Sequence, residues 1–124
     1  MKRSVGLLLV FGLAAGACPA PSAAHAFPDH SQPRVGSALE SSPGAVRIWF
    51  DGDLEPVFSR IRVMNENHEP VDKADGRVEE KDRTLLEVSL PTLSPGTYHV
   101  LWVAVSVDGH RTEGDFSFTV MGPP

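Results

Sequence analysis

The chain has 124 residues, with 11 Lys+Arg against 16 Asp+Glu for a formal charge of −5; hydrophobic residues make up 41% and charged ones 22%. Those proportions describe one ordinary globular domain and exclude a disordered tail, a collagen-like repeat and a coiled coil. The acidic balance makes nucleic acid a poor partner, because phosphate binding needs clustered Lys and Arg; a single cysteine excludes a disulfide scaffold and any multi-thiolate metal site.

The chain opens Met1-Lys2-Arg3 and continues in an apolar stretch of 11 residues from Val5 to Ala15. Such a stretch is too short to cross a bilayer core of about 30 Å as a helix. Followed by small residues and prolines up to Ala24, it has the pattern of a secretory signal peptide. The expected division is a signal peptide over 1–24 and one domain over 25–124. Small residues at Ser22 and Ala24 allow cleavage after Ala24, which leaves His25 first. Ala24-His25-Ala26 fits the same rule and leaves Phe27 first, and local pattern does not choose between the two. Ala15-Gly16-Ala17-Cys18 is a poor lipobox. Cleavage after Ala24 removes Lys2, Arg3 and Cys18, leaving 100 residues at net −7 without a thiol. A thiol-free chain suits an oxidising compartment. No second apolar run approaches the length of a membrane span, so a soluble mature chain is expected.

Residues 25–44 are polar and interrupted by Pro28, Pro33 and Pro43, and read as irregular apart from a weak strand near Val35–Leu39. Period-two alternation, the signature of a half-buried strand, then recurs. Val46, Ile48 and Phe50 point opposite Arg47 and Trp49; Ile61 and Val63 alternate with Arg60 and Arg62. A weak strand near Arg77–Glu80 precedes Leu86, Val88 and Leu90, which alternate with Glu87 and Ser89. The run 97–107 is apolar on both faces and is expected to be a central strand; Phe116, Phe118 and Val120 close the series. Turn pairs such as Asp51-Gly52, Asp75-Gly76 and Asp108-Gly109 separate the runs. About seven short strands in about 100 residues predict an all-β fold, an immunoglobulin-like antiparallel β-sandwich of Greek-key type.

Five histidines follow the leader: His25, His30, His68, His99 and His110. His68 reads as a solvated loop residue and His99 as a partly buried strand residue. His110 stands two residues after Asp108; if the strand continues, both side chains leave one face about 6.6 Å apart. On its own, Asp108-Gly109 reads as a turn with an exposed histidine beside it. A histidine at the N-terminus changes the weight of that pair. The free amine and ring Nδ1 of His25 can chelate one ion, His110 adds a third nitrogen, and Asp108 adds an oxygen. Three N and one O in a tetragonal set suit Cu(II) better than Zn(II) or Cu(I). The amine, with a free pKa of about 7.7–8.0, must lose its proton to bind, so affinity is expected to fall in acid.

With those residues in view, the sequence resembles the CopC family of periplasmic copper-resistance proteins over nearly all of 25–124. The resemblance runs from His25 and Pro33 through Val46–Phe50 and Asp53-Leu54-Glu55-Pro56. It is strongest over Pro95-Gly96-Thr97-Tyr98-His99-Val100-Leu101-Trp102, then Val105-Ser106-Val107-Asp108-Gly109-His110 and Gly114-Asp115-Phe116-Ser117-Phe118. It implies a periplasmic, monomeric β-sandwich that is not an enzyme and that captures or delivers Cu(II). His25 would act through amine and imidazole, Asp108 through its carboxylate and His110 through a second imidazole. It favours cleavage after Ala24, and it implies a CopD-type inner-membrane copper transporter as a possible partner. With only Met64 and Met121 after the leader, no methionine-rich Cu(I) site is expected. His30 and Glu113 are further candidates, as an alternative ligand and as an outer partner of a ligating histidine.

Two other functions compete. A terminal amine with two histidines is also the copper brace of oxidative polysaccharide-cleaving enzymes, although no aromatic platform is evident. A metal-free immunoglobulin-like interaction module would leave the spacing of Ser106, Asp108 and His110 unexplained.

Overall fold

A computed structural model describes residues 26–123 together with Gly12 and Gly16. The expected signal peptide, with Cys18 and the Ala24–His25 junction, lies outside these residues. Eight strands follow in chain order: β1 (Pro28–Gln32), β2 (Ala38–Leu39), β3 (Ala45–Phe50), β4 (Arg60–Met64), β5 (Arg77–Val78), β6 (Leu85–Ser89), β7 (Gly96–Val105) and β8 (Arg111–Val120). Among the described residues there is no helix, and so none long and apolar enough to cross a membrane.

The strands form two four-stranded sheets, ordered β1-β3-β6-β5 and β2-β8-β7-β4. Five of the seven connections pass from one sheet to the other; only β5–β6 and β7–β8 join neighbours within a sheet. This is the expected β-sandwich, with pairing antiparallel except where β2 runs parallel to β8.

Alternation along the strands decides what the two sheets enclose. Val46, Ile48 and Phe50 of β3, Ile61 and Val63 of β4, and Leu86 and Val88 of β6 are buried. Tyr98, Val100, Trp102 and Ala104 of β7 join Phe116, Phe118 and Val120 of β8 in the same core. Phe50 meets Trp102 edge-on across the sheets, with ring centroids 5.2 Å apart. Opposite Trp102 stands Gly114, where an added Cβ would lie 2.7 Å from the indole Cζ2. Only glycine lets that indole lie flat over β8. Near the start of β7 the Tyr98 hydroxyl donates to the Ser94 carbonyl at 2.6 Å, tying the strand to the preceding loop.

The outer faces carry charge. Glu87 of β6 stands directly between Arg47 of β3 and Arg77 of β5, accepting from them at 3.1 and 3.2 Å. This explains why a glutamate on the outer face is nevertheless buried. Asp72, after β4, has no exposed side-chain surface. It accepts from the Val63 N–H at 2.8 Å, the Ala74 N–H at 2.7 Å and Arg62 Nε at 2.9 Å. Burial acts to raise its pKa, but the bonds from Val63, Arg62 and Ala74 outweigh it and hold the carboxyl below its ordinary value.

Several boundaries differ from the alternation. β1 lies in a stretch that reads as irregular; its side chains are mostly exposed, so no apolar period marks it, and it is a strand because β3 offers an edge. β8 begins at Arg111 rather than near Phe116, because its first half is polar and solvent-facing. β7 is flanked by β8 and β4, as a central strand, yet its outer face is only part covered, with Leu101 44% exposed.

Two outcomes test this account. Asp72→Asn removes charge-assisted bonds and is expected to lower unfolding free energy by about 1.5–3 kcal/mol near neutral pH, read by urea denaturation. Because the fold keeps Asp72 more acidic than the unfolded chain does, its contribution is present above about pH 4 and is lost as pH falls through the folded-state pKa. The gap between wild type and Asp72→Asn should therefore narrow in acid. Gly114→Ala should cost about 1–3 kcal/mol by overpacking and change the near-ultraviolet circular dichroism of Trp102.

Candidate metal centre

The two strongest strands end in a tight turn. Ser106 N–H donates to the His110 carbonyl at 2.9 Å and Gly109 N–H to the Ser106 carbonyl at 2.9 Å. Gly109 has φ +89°, a conformation that favours glycine. A turn followed by a glycine at positive φ is a common three-residue hairpin loop, which explains Asp-Gly at this place. The strand thus stops at Val105 and does not continue through Asp108. The turn, not the pleat, brings the two candidate ligands together. His110 Nδ1 lies 2.9 Å from Asp108 Oδ2, with side chains 57% and 31% exposed.

Asp108 is strongly held. Its Oδ1 accepts from the Ser106 hydroxyl in a very short contact and from the His110 N–H at 3.1 Å. Ser106 hydroxyl, His110 ring and His110 N–H together keep the Asp108 carboxyl well below the usual carboxylate range. Ser106 itself is 1% exposed and forms an isolated bridge to the buried Leu54, while Val107 N–H donates to the Asp53 carbonyl at 3.2 Å. The loop after β3 therefore braces the hairpin from below.

The start of the described chain reaches the same end of the sandwich. Ala26 is 1% exposed and its carbonyl accepts from the Thr112 hydroxyl at 2.9 Å. Phe27 N–H donates to Asp51 Oδ1 at 2.7 Å, and Asp51 N–H donates back to the Phe27 carbonyl at 2.9 Å. The chain just after position 25 is thus clamped between the end of β3 and the start of β8, two residues beyond His110. His25 lies outside the described residues. Among the described residues, no three His, Cys, Asp or Glu side chains gather in a way that would hold a metal ion. Asp108 and His110 are two donors.

The other candidates have different partners. His30 sits on β1 with Nδ1 2.8 Å from Asp29 Oδ2, its ring stacked on Trp49 at 4.5 Å and 7°. Glu113 pairs with Arg111 at 3.1 Å, both largely exposed, which fits a solvated carboxylate. His68 is exposed at φ 59° in a loop, and His99 is half-buried on β7. Met64 lies on β4, and Met121 follows β8. Sequence reasoning assigned no role to Ser106, Thr112 or Asp51. Ser106 stood within the Ser-x-Asp-x-His spacing, but only folding shows its hydroxyl aimed inward at Asp108.

Comparisons with known proteins identify the family. The CopC domain model matches residues 29–121. Protein YobA of Escherichia coli K12 is 35% identical over 98 residues, covering 78% of this chain and 79% of its own. The copper transport protein CutJ of Bacillus subtilis is 34% identical over 103 residues, which are 82% of this chain and 19% of that longer protein. The crystal structure of CopC from Methylosinus trichosporium OB3b superposes with TM-score 0.70 at 29% identity, covering 79% of this chain and 95% of that one. PcoC, a methionine-rich copper resistance protein from Escherichia coli, superposes at 0.68 with 30% identity over 78% and 99%. A family model spanning three quarters of the sequence and relatives at this identity leave one conclusion: the chain belongs to the CopC family.

Proposed function

We propose that this protein, exported to the periplasm and cleaved after Ala24, captures or delivers one Cu(II) ion. The ion would be held by the amine and ring Nδ1 of His25, by His110 and by Asp108. The observation that carries this reading is the bond from Thr112 to the Ala26 carbonyl. It fixes the residue after His25 beside the strand that begins at Arg111, and consecutive Cα atoms are only about 3.8 Å apart. A described chain start tied this close to the hairpin that presents Asp108 and His110 supports His25 as the remaining ligand.

The donor chemistry supports copper. Two imidazoles, an amine and a carboxylate form the N,O set that Cu(II) prefers, without the thiolates that would favour zinc or Cu(I). Asp108 Oδ2, occupied by one hydrogen bond, keeps a second lone pair for an ion. Burial of Ala26 also supports the cleavage site, since cutting after Ala26 would remove a core residue and its bond to Thr112. The named copper proteins among its relatives support a copper role, and those names speak of transport and resistance rather than catalysis. In CutJ, a copper transport protein, the matching region is 19% of the length, and this supports a copper transporter of CopD type as partner.

Mass spectrometry of the exported protein is expected to find His25 first, and electron paramagnetic resonance of its Cu(II) complex to show a tetragonal three-nitrogen, one-oxygen site. One extra Met ahead of His25 moves the amine and should weaken Cu(II) binding by more than about tenfold. Equal affinity in the extended protein would sink the amine ligand. Thr112→Val releases the Ala26 carbonyl and should lower both Cu(II) affinity and stability, the latter by about 1–2 kcal/mol in urea unfolding.

A further inference from the structure

We propose that the outer face of the β2-β8-β7-β4 sheet pairs with the same face of a second copy of this chain, about a two-fold axis that runs along β7. The pair departs from the monomer that the family resemblance implies, and it does not depend on the copper reading.

Three observations carry it. The first is uncovered apolar surface. Leu101, Val103 and Val105 form the outward column of β7, exposed or half-buried, while the residues between them fill the core. Phe58 and Val107, 61% and 55% exposed, line one shallow groove with Val103 and Val105. Three of the seven large hydrophobic side chains exposed among the described residues thus gather on one face, which marks a contact surface rather than scatter.

The second is the order of charge across that face. Arg60 stands beside Val103, and Val103 beside Glu113; Arg62 stands beside Leu101, and Leu101 beside Asp115. Each row therefore reads cation, apolar, anion. All six residues point away from the core, because Ile61, Val100, Trp102 and Phe116 on the alternate positions are buried.

The third is that these charges are not used up within the chain. Arg60 and Asp115 form no ion pair among the described residues. Arg62 meets Asp72 through Nε, one of five donors, and the Arg111–Glu113 pair is largely exposed. Arg60, Arg62 and Arg111 balance Glu55, Glu113 and Asp115, so in a chain of formal charge −5 the excess of negative charge lies off this face. Two copies meet here without the repulsion that the acidic remainder would impose.

A two-fold interface sets one patch against itself. With the axis along β7, the second copy lays its β4 over the first copy's β8, and each residue keeps its height along the strands. Arg60 then faces Glu113 of the second copy, Arg62 faces Asp115, and Leu101 and Val103 meet their own equivalents. An axis across the strands would instead set arginine against arginine. Stacked sheets lie about 10 Å apart with strands within about 30° of each other, a gap that valine and leucine fill and arginine spans. Three strands about 33 Å long and about 15 Å across bury about 1,000 Å² in the pair, the low end for a specific interface, so the dimer is weak and reversible.

Sedimentation velocity and small-angle scattering of the metal-free exported protein, from about 10 μM to about 1 mM, are expected to show a reversible monomer–dimer equilibrium. Arg60→Glu alone, and Glu113→Arg alone, each set like charges together twice and should weaken association at least about tenfold. An equal mixture of the two variants restores opposite charges at both places and should recover wild-type association. Leu101→Lys, placed on the axis, should leave only monomer. A wild type that stays monomeric at about 1 mM overturns the proposal without any variant having to fold, and binding of that monomer to phosphatidylglycerol vesicles would assign the face to a lipid surface instead. A dimer indifferent to both charge reversals, or a mixture of folded variants that fails to associate, overturns it as well.

Discussion

Ten consecutive residue pairs join β7 to β8, from Gly96↔Val120 to Val105↔Arg111, and this ladder holds the candidate site in register. Side chains alternate with period two, so a slip of one residue would turn Trp102 away from Phe50 and take Gly114 from beneath the indole. The same slip would alter the turn that places Asp108 against His110. Core packing and site geometry are therefore one constraint, imposed at the two ends of the same hairpin. The indole fits only because residue 114 has no side chain.

Around that hairpin, other segments attach through a small number of directed bonds. The loop after β3 bridges Leu54 to Ser106 and gives the Asp53 carbonyl to Val107. Asp51 and Thr112 secure the chain at Phe27 and Ala26 from opposite sides. A preorganised site on strand ends loses less freedom when an ion arrives than one built on loose loops. The proposed copper site has that character on the hairpin side, where Asp108 is bonded at both oxygens before any metal binds.

Much of the architecture was legible. The strands with one apolar face, β3, β4, β6 and β7, lie within a residue or two of where alternation puts them, because burial of every second residue is what period two records. β1 and the first half of β8 were not legible for the same reason in reverse. Their residues are exposed or half-exposed, and only pairing to a neighbour makes them strands. Glu87 shows the limit again: alternation puts it on the outer face, but Arg47 and Arg77 on adjacent strands bury it there.

For the site, the residue types, the Asp108–His110 spacing and the Asp-Gly turn were all present in the linear chain, since turn chemistry is local. What that spacing meant depended on contacts between residues far apart in sequence. The Asp-Gly turn that the sequence favours forms, and it joins Asp108 and His110 more closely than the roughly 6.6 Å of a continued strand would. The bond from Thr112 to Ala26 spans 86 residues and the bridge from Ser106 to Leu54 links two loops; neither has a local signal. Amino-acid order alone thus determined the strand periodicity, the turns and the inventory of donors. Tertiary structure decided which oxygen of Asp108 faces the ring and which end of the sandwich receives the start of the chain, because a hydrogen bond depends on distance and direction in space.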